Sequence, residues 1–274
     1  MTGFFKVSLL CSADGKAPAK LDGYEYVDYA AVPKTFPSLI NYKGNWWYVK
    51  NGEICRDATL INYGGAWYYV SGGKANFAAT GLVNYGGNWY YVQNGKVNFG
   101  ASGLCNYGGT YYFVNKGAVD FRTETLVNYG GSWWHVKGGQ VVFDTTLVNY
   151  GGNWYYVGGG KVNFGASGLV NYGGGWYYIA GGMVNSSATT LVNYGGKWYY
   201  INNGKVDFSH TGVVTYGGKT YFVSNGVVNN AAAVYVSNSG KIHTKPNCSG
   251  MISYRKMTFI DAVNAQYSLC KNCC

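Results

Sequence analysis

The stretch Leu82-Val83-Asn84-Tyr85-Gly86-Gly87-Asn88-Trp89-Tyr90-Tyr91-Val92-Gln93-Asn94-Gly95-Lys96-Val97-Asn98-Phe99-Gly100-Ala101-Ser102-Gly103 is the unit from which most of this chain is built. Copies start at Leu39, Leu60, Leu82, Leu104, Leu126, Leu147, Leu169, Leu191 and Val213, nine units spaced by 21 or 22 residues. A fixed period of this size marks a quasi-linear stack, in which each unit packs on its neighbours. Within the unit, Leu82-Val83-Asn84-Tyr85 is a short β-prone run, Gly86-Gly87 follows, and then Trp89-Tyr90-Tyr91-Val92. Gly-Gly accepts positive φ at both positions, as a tight primed hairpin turn demands. The pair recurs in every unit but the first, which has Lys43-Gly44. A second turn falls at Asn94-Gly95, with counterparts at Asn51-Gly52, Asn203-Gly204 and Asn225-Gly226. Lys96-Val97-Asn98-Phe99 then leads into a connector of Gly, Ala, Ser and Thr.

Side chains alternate along a strand. Trp89 and Tyr91 therefore share one face, Tyr90 and Val92 the other, and both faces suit a strand covered on two sides. No window of the repeats shows helical spacing, and Gly at this density weakens helices. The expected fold is all-β: a β-hairpin solenoid of nine 21–22-residue repeats, with a small α+β metal-binding domain at the C-terminus. The boundaries read as an N-terminal cap over 1–37, the array over 38–233 and the small domain over 234–274.

The order of residues resembles the choline-binding, or cell-wall-binding, repeat family. Thr80-Gly81-Leu82, Gly87-Asn88-Trp89-Tyr90-Tyr91 and Asn94-Gly95 follow that family's pattern across residues 38 to 233. A more distant likeness is to the carbohydrate-binding repeats of large clostridial toxins. The resemblance implies a secreted or surface bacterial protein that binds a cell-envelope polymer or another glycan. The family's first Trp, one wall of an aromatic cage between adjacent hairpins, is Leu or Val in every unit here. The change either removes the cage or moves it to the Tyr of Asn-Tyr-Gly-Gly.

The chain has 274 residues, 43 of them Gly and 29 Tyr, with 12% charged and a formal net charge of +10. Low charge with many aromatics argues against disorder. Phe4-Phe5-Lys6-Val7-Ser8-Leu9-Leu10 is too short for a signal-peptide core or a transmembrane span, so no export signal is expected in this chain. Tyr24-Glu25-Tyr26-Val27-Asp28-Tyr29 alternates like a strand.

One aromatic ladder recurs along the array: Trp46, Trp67, Trp89, Trp133, Trp154, Trp176 and Trp198, with Tyr69, Tyr91, Tyr156, Tyr178 and Tyr200 two residues later. Flat rings stack on sugar C–H faces and attract quaternary ammonium groups. The same rings can also be the core of a thin solenoid, and most of them are expected to serve there. Lys74, Lys96, Lys161 and Lys205 share one repeat position and are expected to form a solvated edge that blunts strand pairing. Arg is confined to Arg56, Arg122 and Arg255, which argues against a nucleic-acid surface. Cys55 and Cys105 read as small buried apolar residues.

Past Val234 the period stops. Val234-Tyr235-Val236 reads as a strand, Ser239-Gly240 as its turn, and Thr258 as the cap of a helix running to about Gln266. His243 is followed by four residues and Cys248, then 21 residues to Cys270, then two to Cys273. Three thiolates and one imidazole suit a closed tetrahedral zinc site, whose role is structural. A disulfide between Cys248 and Cys270 is the other reading of the same residues. Cys274 either replaces Cys273 as a ligand or bridges to another chain. The segment resembles a small Ada-like zinc-binding domain through Val234-Tyr235-Val236, Gly240-Lys241, His243, Cys248, Ala262 and Cys270 to Cys273.

Catalysis finds no candidate: none of the 11 acidic residues forms a convincing pair, and the glycines are periodic turn residues rather than a phosphate loop. His135 stands where other units have Tyr, and Asp120 and Asp207 stand where the third unit has Asn98. The expected function is therefore non-catalytic binding. The alternative is a self-assembling filament or surface-layer protein with the repeats as scaffold, because Gly-rich aromatic surfaces favour self-association.

Overall fold

The computed structural model describes residues 37–42, 44–50 and 53–274. The expected cap over 1–37 and the Asn51-Gly52 turn lie outside the described residues, apart from Pro37. The chain divides into two compact units after Val142. The first carries five hairpins and the second four, followed by the C-terminal sheet.

Each repeat is a hairpin with a short third strand. In the third repeat Gly81–Tyr85 pairs antiparallel with Asn88–Gln93, which pairs with Lys96–Val97. Gly86 and Gly87 have φ of 58° and 82°, and Asn94 and Gly95 have 50° and 73°. Both turns are thus of the primed kind, whose twist matches that of the strands. After the third strand the chain turns by side-chain capping: Asn98 Oδ1 accepts from Gly100 N–H at 3.0 Å. Asp120 and Asp207 do the same for Arg122 and Ser209, which explains why Asp replaces Asn there. Hydrogen bonds from Thr123 and Ser209, respectively, hold these two carboxyls below the usual Asp range.

The register separates two faces. Leu82 lies opposite Tyr91 and Asn84 opposite Trp89, which defines a leucine face. Val83 opposite Tyr90 and Tyr85 opposite Asn88 define a valine face, which Val92 shares. Within each compact unit the leucine face of one repeat packs on the valine face of the next. Leu39, Trp46 and Tyr48 meet Ile61, Tyr68 and Val70. Leu82, Trp89 and Tyr91 meet Cys105, Tyr112 and Val114. Leu169, Trp176 and Tyr178 meet Val192, Tyr199 and Ile201. Val70, Val92, Val157, Ile201 and Val223 are completely buried. Each such side chain contributes about 1.5–3 kcal/mol by leaving water.

Backbone bonds tie neighbours through the second-turn glycine. Gly95 N–H donates to Ala79 O at 2.9 Å, and its carbonyl accepts from Tyr69 N–H at 2.8 Å. Its Cα faces the preceding repeat so closely that an added Cβ would lie 2.5 Å from Asn76 O. Thr80 Oγ1 accepts from Asn94 N–H, which gives the connector hydroxyl its task.

The leucine face of the ninth repeat has no tenth repeat to cover it. Val213 and Phe222 pack instead on Val234, Val236, Ile242, Phe259 and Ala262 of the C-terminal module. The Phe222 and Phe259 rings stand 5.7 Å apart. Burial under this cap explains one departure of the last repeat: Phe222 lacks the hydroxyl of Tyr200. The module is a four-stranded sheet in which Ala233–Ser237 pairs with Lys241–His243 and Tyr254–Thr258. Its helix, Phe259–Asn264, ends earlier than expected, because Gln266 turns into the left-handed region at φ 61°. Thr258 caps it, accepting from Asp261 N–H at 3.2 Å. Thr258→Ala is expected to cost about 1 kcal/mol. Faster amide exchange confined to the module checks this.

Candidate functional site

Two places concentrate chemistry. The first is the seam between consecutive repeats. In six repeats the ladder Trp projects from a leucine face and meets the Asn-Tyr-Gly-Gly tyrosine on the valine face of the next repeat. The pairs are Trp46–Tyr63, Trp67–Tyr85, Trp89–Tyr107, Trp154–Tyr172, Trp176–Tyr194 and Trp198–Tyr216, with ring centroids 5.2–5.5 Å apart and planes inclined by 55–63°. Inclined rings at this spacing are favourable edge-to-face contacts. Trp133, in the fifth repeat, is half-buried. Tyr69, Tyr91, Tyr156, Tyr178 and Tyr200 are half-buried and stand opposite the repeat leucines or, for Tyr69, Leu60 itself.

The ladder thus has a second rail that sequence reasoning did not place among the site residues. The signal was available, since the Asn-Tyr-Gly-Gly tyrosine recurs at the same period. A third set of rings continues it: Tyr68–Phe77, Tyr90–Phe99, Tyr112–Phe121, Tyr155–Phe164 and Tyr199–Phe208 lie 6.2–6.5 Å apart. Tyr150 to Tyr155, at 6.5 Å, joins the two sets within one repeat. Between the second and third repeats, Trp67, Tyr85, Tyr90 and Phe99 enclose with Leu60 and Val97 a hollow of about 100 Å³. Four rings and two aliphatic floor residues line it, and no carboxylate does.

The lysine row is more than a solvated edge. Lys74 Nζ stands 4.2 Å from the Trp47 ring centre, and Lys96 and Lys205 stand 5.0 Å from Tyr68 and Tyr177. These rings, as placed, already hold ammonium groups against their faces. Cys55 and Cys105 are half-buried rather than buried; the Cys55 thiol lies 3.2 Å from Asp57 Oδ2. His135 is fully buried, with Glu124 Oε1 3.4 Å from its Nε2.

The second place is in the C-terminal module. Ser268–Leu269 pairs in parallel with Lys241–His243, and Cys270 N–H donates to Ile242 O at 3.0 Å. This sets Cys270 beside His243. Cys248 opens a single 3-10 turn, and Cys273 is fixed by Thr244 Oγ1, which donates to its carbonyl at 2.7 Å. The donor atoms of His243, Cys248, Cys270 and Cys273 all lie within 4.8 Å of one another, an arrangement that could hold a metal ion. The Cys248 and Cys270 sulfurs are 3.8 Å apart, and Cys273 Sγ is 3.7 Å from His243 Nδ1. A tetrahedral ion with metal–sulfur bonds of ~2.3 Å spaces its sulfurs by ~3.8 Å, whereas a disulfide needs ~2.05 Å. The spacing favours a metal over the disulfide. Cys274 stands beside the four, its thiol donating to Ile242 O at 3.0 Å, and burial pushes that thiol up to about 12.

Against this geometry the known proteins can be placed. A family model described as choline-binding repeat matches residues 38–54, 59–76, 78–98, 100–120, 123–142, 143–163, 165–185, 187–207 and 209–229. No curated protein sequence matches the chain. Among solved structures, CbpJ from Streptococcus pneumoniae TIGR4 aligns at 20% identity and a TM-score of 0.32, over 72% of this chain and 89% of that one. Choline binding protein F from Streptococcus pneumoniae aligns at 22% identity and a TM-score of 0.29, over 70% and 72%. Alternansucrase in complex with isomaltononaose aligns at 17% and 0.29, over 80% of this chain but 18% of its own. The nine matched segments fall one on each hairpin and cover more than half of the sequence, and the chain belongs to the choline-binding repeat family.

Proposed function

We propose that the repeats hold this protein to a cell-envelope polymer by taking its quaternary ammonium groups, of the choline kind, into the aromatic hollows between hairpins. The observation that carries this is the hollow bounded by Trp67, Tyr85, Tyr90 and Phe99. Mutually inclined rings around a small apolar floor suit a compact methylated cation, which each ring face attracts by ~0.5–2 kcal/mol. The lysine ammonium groups over Trp47, Tyr68 and Tyr177 support the same chemistry. The family's Trp is replaced by Leu60, Leu82 and their equivalents, and the wall it would supply is taken over by the Asn-Tyr-Gly-Gly tyrosine. One hollow binds weakly, and a row of them on a polymer gains by avidity.

In this reading the protein is a non-catalytic binder at the bacterial surface or in its secretions. Among the described residues no helix is long and apolar enough to cross a membrane. Glycan is the second ligand class, favoured by the rings of Trp154 and Trp198, which are 39% and 38% exposed and offer flat stacking faces.

The C-terminal module is a cap stapled by zinc in this reading. Three thiolates and one imidazole form a soft, closed donor set with no open position, which suits zinc in a structural role. When bound, the ion would join Lys241–His243 to the tail. His243 and Cys270 would bring it beside the sheet, and Cys248 and Cys273 would close it from the loop side.

Sedimentation with isolated cell walls tests the reading. The protein should be retained on walls whose polymers carry choline, be released by free choline, and pass through walls grown without it. Equal retention on both would sink the quaternary ammonium reading and leave glycan.

A further inference from the structure

The middle rings of the repeats fall into two kinds, and the difference lies at one sequence position. The strand ladder places a residue of the following repeat opposite the middle ring in seven of the repeats. Tyr68 faces Lys96, and Tyr177 faces Lys205. Tyr90 faces Ala118, Tyr112 faces Gln140 and Tyr199 faces Val227. Directly opposed residues share a face of the sheet and touch. Where Lys occupies the position, its ammonium already stands over the ring at 5.0 Å. Where Ala, Gln or Val occupies it, no ammonium can come from that position.

The connector Phe follows this division only in part. Tyr90, Tyr112 and Tyr199 each have an edge-on neighbour: Phe99, Phe121 and Phe208. Tyr177, which Lys205 covers, has Ser186 where those repeats have Phe. Tyr68 has both Phe77 and Lys96.

We propose that Lys96 and Lys205 are built-in ammonium ligands, so that external quaternary ammonium enters only the hollows whose middle ring faces no lysine. This rests on the quaternary ammonium reading above and adds a rule for which seams are used. Two cations cannot share one ring face within the ~6 Å over which the attraction acts, and the tethered one has the higher local concentration. The seams built on Trp67, Tyr85, Tyr90 and Phe99, on Trp89, Tyr107, Tyr112 and Phe121, and on Trp176, Tyr194, Tyr199 and Phe208 are therefore ligand sites. The seams at Tyr68 and Tyr177 are self-filled. The residue opposite the middle ring is the one that decides between them.

The test exchanges that residue between neighbouring repeats. The full-length protein and its Ala118→Lys and Lys96→Ala variants are titrated calorimetrically with tetramethylammonium chloride at constant ionic strength. Both substitutions install a residue that another repeat already carries at this position, and circular dichroism checks the fold. Ala118→Lys is expected to lower the number of sites by one and Lys96→Ala to raise it by one. Unchanged stoichiometry in both folded variants, with uptake by the parent protein, overturns this inference alone. No uptake by the parent overturns both this inference and the reading it rests on.

Discussion

Cys270→Ser is expected to unfold the C-terminal module while leaving the repeats folded. The module has about forty residues, too few to be stable on its core alone, and structural zinc supplies apparent binding energies of about 10–16 kcal/mol. Cys270 is buried at the junction of the sheet and the tail, so its loss removes one of four donors from the place where they converge. Hydrogen exchange should show protection lost from Ala233 to Cys274, and spreading to Val213 and Phe222, whose cover the module provides. Cys274→Ser is the control. It disturbs one thiol contact to Ile242 O and should cost only about 1 kcal/mol. Elemental analysis should find one zinc per chain in the parent protein and none in Cys270→Ser. A module that keeps its protection in Cys270→Ser would show that the ion is not what holds it.

The second large effect is expected at Gly95→Ala, and it is a failure of stacking rather than of the hairpin. Gly86 and Gly95 both have positive φ, 58° and 73°. Any residue with a Cβ loses about 1–2 kcal/mol in that region. At Gly86 nothing lies within 4 Å of the added atom, so Gly86→Ala should cost that and no more. At Gly95 the atom would lie 2.5 Å from Asn76 O and 2.7 Å from Phe77 Cα, both backbone. Overpacking adds about 1–3 kcal/mol, and the displaced turn also loses its bonds to Ala79 and Tyr69. In a linear array the damage falls on one interface. Chemical denaturation should therefore broaden or split for Gly95→Ala, with the second and third repeats coming apart, and stay single for Gly86→Ala. Equal costs at the two glycines would mean that the second turn does not bear on its neighbour.

These features differ in how far they could be read from the chain. The turns were legible, because Gly86-Gly87 and Asn94-Gly95 carry their backbone conformation in their side chains. The alternation of Trp89, Tyr90, Tyr91 and Val92 gave the two faces. The coming together of His243, Cys248, Cys270 and Cys273 was legible too, and so was the Thr258 cap, since each depends on local chemistry. The partners across the seam were not. Tyr85 meets Trp67 only because the leucine face of one hairpin lands on the valine face of the next, and Lys96 meets Tyr68 only because its short strand pairs with the preceding repeat. That placement comes from the twist of the stack, and no single repeat encodes it. The lysine row looked like a solvated edge for the same reason. The end of the short helix was missed by two residues, because the left-handed turn at Gln266 is imposed by the return of the chain to the sheet. The missing hydroxyl of Phe222 has its cause in the module that lies over it, which the repeat pattern does not contain.

In the proposed reading the seams attract a cation and do not merely bury an apolar group. Calorimetric titration with choline, set beside its uncharged isostere in which carbon replaces the quaternary nitrogen, tests it most directly. The two have nearly the same size and shape, so burial contributes equally, while cation–π attraction over several rings adds ~1–2 kcal/mol for choline alone. Choline should bind ~5- to 30-fold more tightly than the isostere, and Trp67→Leu should lower the number of choline sites. Equal affinity for the two, or tighter binding of the uncharged one, would contradict the account.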